Sequence, residues 1–318
     1  MSSFTHLHVH TQYSILDGAS GTKALMKRAG ELGMTAVAIT DHGNMFGVKE
    51  FHDNAKKAGI KAIIGCETYV ARGSMDNRTS PEDRSGDHLI LLAKNSEGYH
   101  NLIKLISQAW LRGFYYKPRI DKELLKKYSG GIIASSACIA GEIAQEVLAG
   151  NMHKAEEALL SYKEIFGDDF YLEIQRHETS DPNADNTVFP LQQRVVAAYK
   201  ELARKFDVKI IATNDVHFVK KEEAEAHDRL ICINTGSDVD DPKRLRYTKE
   251  EYLKSEEEML AIFKDVPEAV YNTAEIAEKV ESYSLESPPI MPDFAIPPEF
   301  KDLNEYLRFR TYEGAKMR

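Results

Sequence analysis

Apolar runs of strand length alternate with amphipathic helical segments along the first two thirds of the chain. The expected strands cover residues 4–10, 35–40, 61–65, 88–93, 131–135, 170–174 and 208–213. The expected helices, in which apolar residues recur at helical spacing, cover residues 23–32, 48–58, 98–109, 141–148, 154–166 and 190–206. Most strands lack a clean apolar–polar alternation, which favours a parallel sheet buried on both faces. The number of β–α units favours a closed or nearly closed barrel, with an open doubly wound sheet as the alternative.

The pattern changes after Pro242. Residues 250–263 and 266–280 have helical apolar spacing with no strand between them, and residues 287–298 read SPPIMPDFAIPP, a proline-rich stretch that predicts a linker. A short amphipathic segment, 303–317, follows. We therefore expect a barrel domain over 1–285 that includes the helices from about 243, a linker over 286–300, and the start of a further region over 301–318.

Size and composition exclude several classes of protein. A chain of 318 residues with 42% hydrophobic residues can bury a full core. It has no apolar run long enough to span a membrane, and its first residues lack the regions of a signal peptide. The three cysteines, Cys66, Cys138 and Cys232, have no disulfide-like spacing. These features predict a cytoplasmic protein.

The net charge of −9, from 41 basic and 50 acidic residues, limits how the chain can treat phosphates. Nucleic-acid binding depends on clustered Lys and Arg, so a strongly acidic domain is a poor general binder. If the protein acts on a phosphate, bound metal ions must supply much of the positive charge.

The segment HLHVH at positions 6–10 places three imidazoles at alternate positions. Alternate side chains of an extended strand share one face, so His6, His8 and His10 can line a single surface and bind metal. The alternatives are an exposed polar edge strand or a remnant of a purification tag. The intervening Leu7 and Val9 disfavour a tag, which would be contiguous histidine.

Functional groups collect at the carboxyl ends of strands in barrels and open α/β folds. Nearly every expected strand end carries a metal-binding type of side chain, and the candidates are His8, His10, Asp17, Asp41, His42, Glu67, Cys138, His177, Asp215 and His217. His88 opens its strand and does not fit this rule. Each residue alone is weak evidence, since Asp41, for example, could cap a helix. Their convergence predicts two or three metal ions bridged by Glu67, a cluster suited to hydrolysis of phosphate esters.

The remaining candidates have structural interpretations. Cys66 alternates with Glu67 and is expected in the core, as is Cys232. Solvent or packing roles are expected for His52, His100, His153 and His227.

Six ordered motifs, HLHVHTQYSILDG, AITDHGNMFG, GCETYV, HLILLAKN, GFYYKPRID and TNDVHF, resemble the PHP (polymerase and histidinol phosphatase) domain family. The resemblance covers residues 4–285 and is greatest to the branch found in bacterial replicative DNA polymerases. It implies an α/β fold, a distorted (β/α)7 TIM-like barrel with a trinuclear metal site at its carboxyl face.

The resemblance also implies the ligands and their sharing. His8, His10, Glu67 and Asp215 would hold one ion, Glu67, His88 and Cys138 a second, and Asp17, His42 and His217 the third. Asp17 and Cys138 stand where the phosphatase branch usually has His, and His6, Asp41 and His177 fall outside the ligand pattern. The ions are expected to be zinc, with manganese or iron as alternatives. Glu67, Asp215 and His10 are the expected catalytic residues.

Three functions follow from the resemblance. The first is a metal-dependent 3′–5′ exonuclease that acts on DNA primer ends within a longer polymerase. In this function Arg119, Arg72 and Arg112 are candidate contacts to phosphate. The alternative role of these arginines is to form surface ion pairs. The second is a metal-stabilised scaffold that docks a separate proofreading subunit of the replicase. The third is a free phosphatase of the histidinol phosphate type, which the proline-rich linker disfavours.

Overall fold

The computed structural model describes residues 3–318. The strands are β1 Ala36–Ile39, β2 Lys61–Val70, β3 Asp87–Ala93, β4 Phe114–Tyr115, β5 Lys117–Ile120, β6 Ile132–Ser135, β7 Phe170–Ile174 and β8 Ile210–Ala212. The helices are α1 Thr22–Glu31, α2 Val48–Ala58, α3 Ser96–Leu111, α4 Lys122–Lys127, α5 Glu142–Leu148, α6 Met152–Phe166, α7 Val188–Phe206, α8 Ala224–Thr235, α9 Glu256–Ile262, α10 Glu268–Lys279 and α11 Leu303–Met317. A first compact unit ends at Tyr283, and a second covers Ser284–Arg318.

The sheet of the first unit curls into a distorted barrel. Strands β2, β3, β6, β7 and β8 are hydrogen-bonded in that order, and β1 pairs with the first half of β2. The extended segment 6–9 closes the ring, since His6 bridges to Val37 of β1 and Val9 bridges to Val216 just beyond β8. Counting this segment, seven extended stretches form the ring, so the expected (β/α)7 barrel is confirmed as the fold class.

Within the ring, the expectation of a parallel sheet is wrong at one strand. β3 runs antiparallel to both β2 and β6, whereas β1–β2, β6–β7 and β7–β8 are parallel. The connection from Val70 to Asp87 contains only a short 3-10 turn, Pro81–Arg84, and no crossover helix. A parallel return would need such a crossover. The first residues of β3 therefore lie beside the last residues of β2, and this direction brings His88 to the carboxyl face.

Two other boundaries differ from the prediction. Residues 4–10 form isolated bridges rather than a regular strand. The expected helix over 250–263 is shorter, because α9 begins only after Ser255, whose hydroxyl accepts a hydrogen bond from the backbone N–H of Glu258. Glu258 in turn accepts from the N–H of Ser255, which completes a capping box. Tyr252, which lies three residues before Ser255, is extended and forms a β-bridge with Phe218.

The core lies between the curled sheet and the helices outside it. One buried cluster joins β-strand residues such as Leu89 and Leu172 to helix residues such as Leu105, Leu159 and Tyr199. The carboxyl face of the barrel is built differently, because many polar side chains are buried there. Buried polar groups are costly unless they have partners, so this face is where a functional site is expected.

The second unit contains α11 and an irregular segment before it. Five prolines within 288–298 prevent regular hydrogen bonding there. The helix begins after Asp302, whose carboxylate accepts a hydrogen bond from the N–H of Glu305. Throughout residues 3–318, no helix has both the length and the apolar character needed to cross a membrane.

Candidate metal centre

His8 and His10 project from the first extended segment toward the same point. The two Nε2 atoms are 3.1 Å apart, and both side chains are fully buried. The alternation that brings them together also applies to His6, but Nε2 of His6 forms a hydrogen bond with the carbonyl of Lys254. The structure therefore groups His8 with His10 and gives His6 a packing role.

Glu67 lies at the centre of the donors. Its Oε2 is 2.6 Å from Nδ1 of His42, and its Oε1 is 2.7 Å from Nδ1 of His88. The same carboxylate lies 3.4 Å from Nε2 of His8 and 3.4 Å from Nε2 of His10. A carboxylate that contacts four imidazoles is placed to bridge two cations.

Asp215 completes the group around His8 and His10. Its Oδ1 lies 3.1 Å from Nε2 of His8 and 3.2 Å from Nε2 of His10. The residue adopts a left-handed backbone conformation with φ of 47°. Such a φ is uncommon for residues other than glycine, and it tends to be retained where a site requires it.

A second group of potential metal ligands lies beside His8 and His10. The ring of His10 stacks on that of His217 with centroids 4.3 Å apart, and His42 lies 4.1 Å from His10. Nε2 of His42 is 3.4 Å from Oδ2 of Asp17. The phenol of Tyr247 donates to the same oxygen of Asp17 at 3.0 Å and lies 3.4 Å from Nε2 of His217.

Cys138 is the cysteine that reaches this centre. Its Sγ lies 3.7 Å from Nδ1 of His88 and 4.0 Å from Oε1 of Glu67. The thiol of Cys66 is buried and donates instead to the carbonyl of Asp41, in keeping with its expected core position. Cys232 is also buried, on α8.

Residues behind the donors fix how the imidazoles are oriented. Nδ1 of His8 lies 2.6 Å from Oε1 of Glu173. Because an ionised carboxylate can only accept, Nδ1 of His8 is the donor. Nδ1 of His10 lies 2.9 Å from the hydroxyl of Ser14, which donates to Asp41. Nδ1 of His217 donates to the backbone carbonyl of Asp215. In all three histidines it is Nδ1 that is bound from behind, so that Nε2 faces the centre, as in metal-binding histidines.

Sequence reasoning missed Glu173 and Tyr247. Glu173 is an acidic residue in the buried run Phe170–Ile174, and this was its available signal. Ser135, Thr213 and Gln175 all donate to its carboxylate. Tyr247 carries no local signal, since it reaches the site from an irregular segment far along the chain.

The other sequence candidates have partners elsewhere. His177 accepts at Nδ1 from the amide of Gln192 and bonds through Nε2 to the carbonyl of Asn214. Arg72 pairs with Asp87 and Glu146, Arg112 pairs with Asp76, and Arg119 is buried and donates to the carbonyls of Gly113, Met75 and Asn77. Among residues 3–318, none of these arginines lines the cavity described below.

Opposing charges shape the electrostatics of the centre. Burial, together with repulsion from His42 and His217, lowers the pKa of His10 to about 3. Burial also disfavours charge on His42, but the carboxylates of Glu67 and Asp17 outweigh it and raise the pKa of His42 to about 10. Burial acts against ionisation of Glu67, yet the surrounding imidazoles, led by His88, hold its pKa well below the usual range.

Four buried atoms among the candidate ligands form no hydrogen bond of normal geometry. They are Oδ1 of Asp17, Nδ1 of His42, Oε2 of Glu67 and Oδ1 of Asp215, although Nδ1 of His42 lies 2.6 Å from Oε2 of Glu67 and Oδ1 of Asp215 lies 3.1 Å from Nε2 of His8. Buried polar atoms without partners are rare because each costs free energy. Three sets of ligand atoms lie within 4.8 Å of one another: His10, His42 and His217; His8, His10 and Glu67; and His42, Glu67 and His88. Imidazole, carboxylate and thiol donors suit zinc and related divalent metals, so the residues present fit a metal centre.

The centre opens into a cavity of about 460 Å³. Asp17, His42, Glu67, His88, Cys138, Asp215 and His217 all line it. A substrate in this cavity would reach the donors directly.

Comparison with known proteins identifies the family to which the chain belongs. The chain is 47% identical to the DNA polymerase III subunit alpha of Borreliella burgdorferi and 43% identical to that of Helicobacter pylori, over 100% and 99% of its own length. It spans 27% of the length of each of these relatives. Among solved structures, an amidohydrolase from Chromobacterium violaceum is 14% identical, with a TM-score of 0.42 over 67% of this chain and 87% of the other. The family model of the PHP domain matches residues 6–177, and the chain belongs to the PHP domain family.

Proposed function

We propose that the chain is the PHP domain of a DNA polymerase III alpha subunit and that its centre removes nucleotides from the 3′ end of a DNA primer. The observation that carries the proposal is the convergence of seven candidate ligands on one cavity. The identity to alpha subunits over nearly the whole chain supports the assignment to a polymerase. In this proposal residues 1–285 form the domain, 286–300 a linker and 301–318 the start of the next region.

We assign the donors to three divalent ions, shared as the family resemblance implies. His8, His10, Glu67 and Asp215 would hold the first, Glu67, His88 and Cys138 the second, and Asp17, His42 and His217 the third. When bound, such ions lower the pKa of water and neutralise the charge of a phosphodiester. This resolves the difficulty of a chain with a net charge of −9 that acts on DNA.

The chain's own residues position the reaction. Glu173 and Ser14 hold the imidazoles of His8 and His10 in one tautomer. Asp215 borders the cavity, and with Oδ1 3.1 Å from Nε2 of His8 it is placed to hold an ion that would activate the attacking water. The phenol of Tyr247 donates to Asp17, and burial keeps the pKa of Tyr247 well above its usual range, so the phenol remains a donor.

The partners in this proposal are the primer end, the rest of the polymerase chain and a separate proofreading subunit.

The exonuclease test uses a primer labelled at its 5′ end, so that shortening from the 3′ end is resolved as a ladder. Wild type should shorten the primer and Asp215→Asn should not, whereas Glu164→Gln, an exposed substitution on α6, should behave as wild type. Bound metal without shortening in the wild type would reject the exonuclease and favour the metal-stabilised scaffold.

A further inference from the structure

Large aromatic side chains remain exposed at the mouth of the metal cavity. Phe46, Trp110 and Phe114, here named the aromatic wall, are 60%, 43% and 46% exposed and all line the cavity. They come from the loop before α2, the last turn of α3 and β4. Clustered exposed apolar surface marks an interaction site more often than isolated exposed residues do.

The aromatic wall is an ordered arrangement. The rings of Trp110 and Phe114 are stacked, with centroids 5.4 Å apart and planes 16° apart, and Phe46 lies 6.2 Å from Trp110. Nε1 of Trp110 donates to the carbonyl of Gly43 at 2.8 Å. Gly43 directly follows His42, so the indole is fixed to the backbone of a metal-donor segment.

The backbone at this anchor depends on glycine. Gly43 has φ of +60°, and a Cβ there would lie 2.7 Å from Cγ of Pro118. The close approach of Pro118 places the neighbouring Lys117 at the same cavity. The wall and the metal donors are therefore held in a fixed relation.

Cations lie beside the aromatic rings at this mouth. Nζ of Lys117 is 5.2 Å from the ring centre of Tyr69, and the guanidinium of Arg84 is 5.3 Å from that of Tyr116. Tyr69, Tyr116 and Lys117 line the cavity. Aromatic faces combined with cations are typical of surfaces that bind single-stranded nucleic acid, where bases stack and phosphates meet positive charge.

We propose that the aromatic wall stacks the bases of an unpaired DNA strand, so that the form of substrate the centre accepts is a single-stranded or frayed 3′ end. This proposal rests on the proposed function. A base within a duplex has both faces covered by its neighbours, whereas an unpaired base offers a free face to Trp110 or Phe114. An apolar protein surface is the other conceivable occupant, but the adjoining cations and the phosphate-binding chemistry of the centre favour a nucleotide chain.

The binding test uses the single tryptophan of the chain, Trp110, as its reporter. A single-stranded oligodeoxynucleotide and a blunt duplex of the same sequence are titrated separately, each with phosphorothioate linkages at the 3′ end to resist hydrolysis. Quenching of Trp110 fluorescence and anisotropy of a label on the DNA are recorded together. The single strand should quench Trp110 and bind about tenfold or more tightly than the duplex.

Variants locate the binding surface. Phe46→Ala and Phe114→Ala should each weaken single-strand binding about tenfold, with bound metal and melting temperature unchanged. Leu111→Ala is the matched control, since Leu111 is 83% exposed on α3 but does not line the cavity among the described residues. Equal affinity for the duplex, no binding of either DNA, or no effect of both variants would overturn the proposal.

The outcome separates this proposal from the exonuclease. Quenching by the single strand without any primer shortening would reject the exonuclease and retain the aromatic wall as a DNA-binding surface. Primer shortening that is indifferent to Phe46→Ala and Phe114→Ala would reject the wall and retain the exonuclease.

Discussion

Nδ1 of His8 lies 2.6 Å from Oε1 of Glu173, and both side chains are buried. Glu173 also accepts hydrogen bonds from Ser135, Thr213 and Gln175. A carboxylate with so many donors is fixed in place, and it holds the imidazole of His8 with Nε2 toward the centre. Such outer carboxylates orient a metal-binding histidine and raise its basicity.

Removing the charge of Glu173 should weaken metal binding without disrupting the fold. Glu173→Gln keeps the size of the side chain but loses the carboxylate that orients His8, so metal affinity should fall about 10- to 100-fold. Competition with a chromophoric chelator measures the change, and Glu164→Gln serves as the exposed control. Unchanged affinity in Glu173→Gln would show that Glu173 does not act on the centre.

The thiol of Cys138 should ligate metal, and that of Cys66 should not. With cobalt bound, wild type should show thiolate-to-cobalt charge-transfer absorption, which Cys138→Ser abolishes and Cys66→Ser preserves. The reason is the placement of Cys138 at 3.7 Å from His88, whereas Cys66 donates to a backbone carbonyl. Retention of the band in Cys138→Ser would contradict the assignment.

Removing metal should destabilise the barrel. The carboxylates of Glu67, Asp215 and Asp17 line one cavity, so a cation that binds them only in the folded state adds stability. At about 1,000 times the dissociation constant this adds roughly 4 kcal/mol, which corresponds to a fall in Tm of roughly 10 °C when a chelator is added. Calorimetry with and without chelator, followed by return of zinc, measures it. A Tm indifferent to chelator would count against a structural metal.

Acidification should destabilise the protein through His177. Burial lowers the pKa of His177 although Glu251 lies 4.0 Å away, and protonation of Nδ1 would break its bond from Gln192. The unfolded imidazole titrates near 6.5, so the unfolded state binds the proton first as the pH falls. The contribution of neutral His177 is thus present above about pH 6.5 and is lost as the pH falls below it.

The measurement compares Tm against pH for wild type and variants. His177→Gln removes the titrating group, so its Tm should fall less steeply below pH 6.5 than that of wild type. His153→Gln is the control, because His153 is exposed on α6. A slope in His177→Gln equal to that of wild type would exclude this residue as a source of acid lability.

The fold could be predicted from local patterns because apolar runs and amphipathic helices record burial directly. The direction of β3 could not, since the run Asp87–Ala93 is apolar whichever way it runs. Only the connection before it, which lacks a crossover helix, carried that information. This is why His88 did not fit the strand-end rule, although it lies beside Glu67.

The residues of the site could be predicted from the sequence only in part. The spacing of His8 and His10 fixes their shared face, and the structure places their Nε2 atoms together. The role of Tyr247 depends on long-range packing that leaves no periodic signal near it. The choice of ligands among the strand-end residues came from the family resemblance, and it remains a prediction for metal analysis.

The most direct test of the metal centre is the number of metal ions bound per chain. Elemental analysis of the purified 318-residue chain, after equilibration with zinc and removal of free ions, should give three ions per chain. Asp215→Asn should bind fewer, because Oδ1 of Asp215 lies 3.1 Å from Nε2 of His8 and 3.2 Å from Nε2 of His10. Wild-type protein that binds no metal would contradict the account.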